Sequence, residues 1–144
     1  MTRKTFLTLA AVIALGVGTV ALLFPADLLA SKGTVPSEAA NLWMREVGVL
    51  LVCIGVIASL VHSHADSPTM KALMLGNLLV QLGLLTAEVA GYANGVITRL
   101  SGVIPNSVLH LLLAGGFAYF WINGGKAPAQ NNPLGVNPNS DKQL

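Results

Sequence analysis

Charge is what this sequence has least of. Only 10% of its 144 residues are Asp, Glu, Lys or Arg, against about a quarter in a soluble domain, and a water-facing surface cannot be built from so few. Eight Lys and Arg stand against six Asp and Glu, spread along the chain without a basic cluster. That excludes the stripe of cations with which nucleic-acid-binding proteins neutralise phosphates, so no nucleic-acid partner is expected. The single cysteine, Cys53, excludes an intramolecular disulfide framework and the metal and haem motifs that need more than one thiol. The period-two alternation of membrane barrel strands is also missing. What remains is apolar: 53% of the residues are hydrophobic, gathered into four long runs, and a lipid bilayer is the expected surrounding.

A helix rising about 1.5 Å per residue needs roughly 20 residues to cross a hydrocarbon core of about 30 Å. Residues 6–24, 42–61, 72–91 and 105–123 approach that length. Pro25 ends the first run, since proline offers no amide and restricts its predecessor. Pro105 suits the first turn of the fourth, which stops at Gly124-Gly125. In lipid each segment must satisfy its own backbone polar groups, so the spans should be helices. The expected fold class is therefore all-α, an integral membrane bundle of four transmembrane helices over residues 1–125. Residues 126–144, rich in Asn and Pro, have too little apolar surface to repay ordering and are expected to form a disordered polar tail. The first run exceeds the core of about 7 to 15 residues found in signal peptides, so its retention as a membrane helix is expected. Arg3, Lys4, Lys71, Lys126 and Lys142 would share one side, against Lys32, Arg45 and Arg99 on the other. This bias predicts cytoplasmic N- and C-termini in an inner (cytoplasmic) membrane.

Ionisable groups within a bilayer cost a few kcal/mol each and need a partner, a wet cavity or a route to the interface. Arg45 and Glu46 lie in the first turn of the second span, Glu88 about three residues inside the corresponding end of the third, and His110 about five residues into the fourth. By depth these four share one layer near the outer leaflet. At about 100° per residue, Asn77, Gln81 and Glu88 fall within about 40° of one another and form a polar stripe that should face the bundle interior. On the other side of that helix, Gly83, Ala87 and Gly91 make a ladder suited to close helix approach. Two readings stay open. In one, Arg45 pairs with Glu88, His110 finds a carbonyl and the cluster merely fixes helix register. In the other, Arg45, Glu46, Asn77, Gln81, Glu88 and His110 line a cavity that takes a lipophilic molecule with a polar head. An unpaired, protonated Glu88 could then act with His110 as an acid and base pair.

Other signals are weaker. His62, His64 and Asp66 alternate in the loop between the second and third spans, as metal ligands might in an extended segment, but with three ligands at most on a flexible backbone a solvated loop is the preferred reading and no metal is expected. Cys53, in mid-span, reads as a small buried hydrophobe. Trp43, Tyr92, Tyr119 and Trp121 fall near span ends, two on each side, as interfacial aromatic belts do. Gly48, Gly55 and Ser59, with Gly115 and Gly116, read as packing positions within the bundle or between protomers. The connections PADLLASKGTVP and ANGVITRLSGVIP are apolar enough to lie at the interface as short helical turns.

A first span closing on P-x-x-L-L (Pro25 to Leu29), Gly33 soon after, and R-E-x-G-x-L opening the second span (Arg45 to Leu50) together resemble small four-span bacterial membrane proteins of the DoxX-like kind. The resemblance covers roughly residues 6–122. It implies a four-helix fold and, for some relatives, association with quinone-linked redox partners. No cofactor site is read from the residues themselves. The expected function is binding of a lipophilic molecule, or of a partner membrane subunit or second copy, through the polar cluster. An acid and base membrane enzyme and a purely structural accessory subunit are the alternatives, and no residue is assigned as catalytic.

Overall fold

A computed structural model describes residues 1–124. Five helices follow one another: α1 (Arg3–Leu23), α2 (Pro25–Ser31), α3 (Glu38–Val61), α4 (Pro68–Ala93) and α5 (Leu100–Asn123). All but the short α2 are long and apolar enough to cross a membrane, so the chain is an all-α, multi-pass integral membrane protein. The expected tail, 126–144, lies outside the described residues, as do Lys126 and Lys142.

Local chemistry sets the helix starts. The side chains of Thr2, Ser37 and Ser67 accept the N–H of Thr5, Ala40 and Met70 at 3.2, 3.1 and 3.1 Å, each satisfying one donor that the first turn leaves open. Pro25 stops α1 at Leu23 and opens α2 at a position where its missing amide costs nothing. The fourth long helix differs from expectation. It begins at Leu100 and carries Pro105 in its interior, so one backbone bond is forgone. Tertiary contact supplies the reason. Lys32 O accepts the N–H of Thr98 and Arg99 at 3.2 and 3.1 Å, and Gly102 sits so close to the Lys32 backbone that a Cβ there would lie 2.8 Å from Lys32 Cα.

The helices assemble as two hairpins. α1 packs along α3 and α4 along α5, whereas α3 and α4 make no extended contact despite the short loop that joins them. Backbone proximity makes the first seam: a Cβ on Gly18 would lie 2.9 Å from Gly48 O, and one on Gly48 only 2.7 Å from Leu22 N. Gly55 meets Leu15 farther along. Gly48 and Gly55 are thus packing positions, as the sequence suggests. The Gly83-Ala87-Gly91 ladder is not: Gly83 and Ala87 are exposed, nothing approaches within 4 Å of a Cβ on Gly83, and Gly91 meets only the Ile97 side chain. Small residues permit close approach without compelling it, and the α1–α3 seam provides the approach instead. Gly116 contacts the Phe6 ring, while Gly115 faces open space.

The hairpins are joined at both ends. Toward the amino-terminal end of α1, Phe6, Leu7, Ala10, Met70, Met74, Leu113 and Phe117 form a core shared by α1, α4 and α5, with the Phe6 and Phe117 rings edge to face at 4.8 Å between centroids. At the far end, α2 and the turn after it are laced to the α4–α5 connection. Thr34 Oγ1 donates to Val96 O at 2.9 Å, Thr98 Oγ1 to Gly33 O at 2.8 Å and an Arg99 Nη to Ala30 O at 3.2 Å. Gly33 has a positive φ of 74°, and a Cβ there would lie 2.8 Å from Arg99 Cγ, so this turn requires glycine. Between the two joints the hairpins part. Cys53 is exposed on the outer face of α3, not buried as its mid-span position suggests.

Candidate functional site

A cavity of about 520 Å³ occupies the space between the hairpins, within the roughly 300–1,000 Å³ range of small-molecule sites. Its two walls differ in chemistry. α1 contributes Ala10, Ile13, Ala14, Val17 and Ala21, and α3 a stripe of Ala40, Met44, Val47, Leu51, Ile54 and Ala58, spaced four and three residues apart as one helix face requires. The opposite wall sets Asn77, Gln81 and Glu88 from α4 and Asn106 and His110 from α5 among apolar Val80, Leu84 and Leu109. Phe117 and Leu113 close the deep end, and Leu28, Leu29 and Lys32 the far end. Trp43 on α3, 66% exposed, and the exposed Ala87 on α4 also line the cavity. It therefore opens sideways between α3 and α4.

Glu88 organises the polar wall. Its side chain is buried and forms an ion pair with Lys32. Asn106 Nδ2 donates to Glu88 Oε1 at 3.0 Å, and Ser107 Oγ to Oε2 at 3.2 Å. A carboxylate only accepts, so Asn106 must present its amide nitrogen there. The same Nδ2 lies 3.3 Å from His110 Nε2, which makes Nε2 the acceptor and leaves the ring hydrogen on Nδ1. His110 Nδ1 then donates to Gln81 Oε1 at 2.7 Å. One buried anion thus orients a chain of amide, imidazole and amide reaching into the cavity. At its end the Gln81 Nε2 group has no protein partner among the described residues, and the amide oxygens of Asn106 and Asn77 are likewise open; Asn77 Nδ2 is held by Leu73 O at 2.9 Å.

The expected stripe of Asn77, Gln81 and Glu88 does face the interior, and His110 joins it. Arg45 and Glu46 do not. Both are exposed on α3, roughly 120–140° around that helix from the centre of its cavity-lining stripe, so equal depth did not bring them to the cluster. Lys32 takes the place expected of Arg45, which gives Glu88 the paired alternative. Depth alone also missed Asn106 and Ser107. The spacing of Asn106 and His110, four residues apart on one helix face within the expected span, was the available signal.

At the other end of the bundle, His62, His64 and Asp66 do not converge on a metal position. His62 Nδ1 contacts Ser59 O at 2.6 Å, Asp66 pairs with Arg3 and His64 uses its carbonyl to accept from Arg3. No group of three His, Cys, Asp or Glu side chains with metal-binding geometry occurs among the described residues. Holding the amino terminus against this loop outcompetes any convergence of the three.

Comparison with known proteins yields no match among family models, curated proteins or solved structures.

Proposed function

We propose that this chain is an inner-membrane protein, with both termini cytoplasmic, that holds a lipophilic molecule with a polar head in the cavity between its hairpins. The observation that carries the reading is the pairing of an apolar wall with a fully ordered polar wall, in a cavity that opens where lipid would lie. A cluster serving only helix register would close on itself. Here the Gln81 amide nitrogen and the Asn77 and Asn106 amide oxygens, on residues that line the cavity, have no protein partner among the described residues, and enclosing such groups unpaired would cost on the order of a few kcal/mol each. A bound polar head would satisfy them. The sidedness rests on Arg3, Lys4 and Lys71, which stand at the amino-terminal end of the bundle. Kinship with DoxX-like proteins is proposed on the shared short motifs.

One observation favours a second reading, docking of a partner helix. Gly76 and Gly83 leave an exposed groove along α4 with nothing within 4 Å, as a helix contact within the membrane would use. Native mass spectrometry from lipid-retaining particles separates the two. Under the first reading, a discrete small-molecule adduct accompanies wild type and Arg45→Ala but not a Gln81→Leu, His110→Phe variant. Bulk lipid alone, in equal amount on all three, would end the first reading, and a protein partner lost in Gly83→Leu would establish the second.

A further inference from the structure

We infer the chemical class of the ligand: an amphiphile whose head is uncharged and carries at least one hydrogen-bond acceptor. The inference rests on the cavity being a binding site, as proposed above, and adds three constraints from its geometry.

The first is charge. Among the described residues Glu88 is the one anion and Lys32 the one cation lining the cavity, and they are paired to each other. Both Glu88 oxygens are engaged, by Lys32, Asn106 and Ser107. A charged head would enter a low-dielectric site with no free countercharge, and an ion so placed is costly. A neutral head meets no such penalty.

The second is hydrogen-bonding sense. Because the Glu88 carboxylate fixes the direction of each donor down the chain, Gln81, which lines the cavity, turns its oxygen to His110 and leaves its NH₂ without a protein partner among the described residues. That nitrogen needs an acceptor, such as an ester carbonyl or a hydroxyl oxygen. The Asn106 and Asn77 oxygens can in turn accept from a hydroxyl. A glycerol-like or simple alcohol head meets both demands.

The third is the tail. From Asn106 to Phe117 the cavity lining runs eleven residues along α5, roughly 16 Å at about 1.5 Å per residue, and the facing residues of α1 and α3 are apolar, so a hydrocarbon tail can lie along the cavity below the polar head. The opening between α3 and α4 admits such a molecule sideways from the membrane.

The test places the full chain in phosphatidylcholine particles with equal mole fractions of 1-monooleoylglycerol, neutral and single-chained, and oleoyl lysophosphatidylglycerol, its anionic counterpart, and reads adducts by native mass spectrometry. Wild type should carry the monoacylglycerol at least about tenfold over the anionic probe. Glu88→Gln leaves Lys32 without its counter-ion and should move that preference about tenfold toward the anionic probe. Gln81→Leu should lower monoacylglycerol retention without favouring the anion. Equal retention of both probes by wild type, or a preference unmoved by Glu88→Gln, would overturn the inference while leaving the cavity a binding site. Absence of every adduct would remove both.

Discussion

Substituting alanine at Gly48 tests the seam that holds together the first hairpin, whose α1 and α3 form one wall of the cavity. The new Cβ would lie 2.7 Å from Leu22 N, 2.8 Å from Gly18 O and 3.0 Å from Leu22 Cα. All three are backbone atoms of α1, so no side chain can rotate away. Relief to an ordinary contact requires α1 and α3 to part by several tenths of an ångström along their shared length. Overpacking of this kind costs about 1–3 kcal/mol, set against a gain of up to about 1 kcal/mol in helix propensity from Gly to Ala. The expected net loss is about 1–2 kcal/mol. Gly83→Ala and Gly76→Ala are the controls, since a Cβ at either meets nothing within 4 Å; they should be neutral or stabilising by up to about 1 kcal/mol. Reversible unfolding in mixed micelles, titrated with a denaturing detergent and followed by circular dichroism, reads all three. Because Gly18 and Gly48 share the same contact, Gly18→Ala added to Gly48→Ala should cost less than the two changes separately. Wild-type stability in Gly48→Ala would refute the close-packed seam, and an equal loss in Gly83→Ala would show that α4's outer groove is occupied.

Three further outcomes are expected. Lys32→Met leaves the buried Glu88 without its cation and should destabilise by about 3 kcal/mol, the low end for breaking a buried pair, because Lys32 itself stays 17% exposed; adding Glu88→Met should recover much of that in the same unfolding assay. A nitroxide attached at Cys53 should show high accessibility to oxygen and low accessibility to a water-soluble relaxation agent, since the thiol is exposed on the bundle exterior, and the reverse pattern would move α3's outer face into protein or water. In a Cys53→Ser background, a cysteine at Ser63 in the α3–α4 loop should react with an impermeant maleimide only from the cytoplasmic side and one at Gly95 only from the opposite side, and exchange of the two would invert the proposed topology.

The spans were legible because the bilayer imposes a length and a composition that a linear sequence displays directly. Pro25 also announced its helix boundary, for proline acts through its own covalent structure. Pro105 did not, because the turn from Leu100 to Ile104 is held by Gly102 against Lys32, a contact seventy residues apart in sequence. The α4 stripe followed from helical periodicity alone and faces inward as expected. The cluster's cation did not follow. Arg45 and Lys32 are both near the same end of the bundle, and the choice between them depends on the rotation of α3 about its axis and on the path of α2.

By itself, then, the sequence determined that the chain crosses a membrane as four helices and that Asn77, Gln81 and Glu88 share one face, since hydrophobic length and the 3.6-residue repeat are properties of a segment. Only the tertiary structure decided that α1 pairs with α3 and α4 with α5, that Lys32 and not Arg45 neutralises Glu88, and that the hairpins part to leave a cavity. Those outcomes rest on which small residues meet across a seam and how far each helix turns about its axis. Gly18 against Gly48 packs closely while Gly83 faces outward, and nothing in either residue's local sequence distinguishes them.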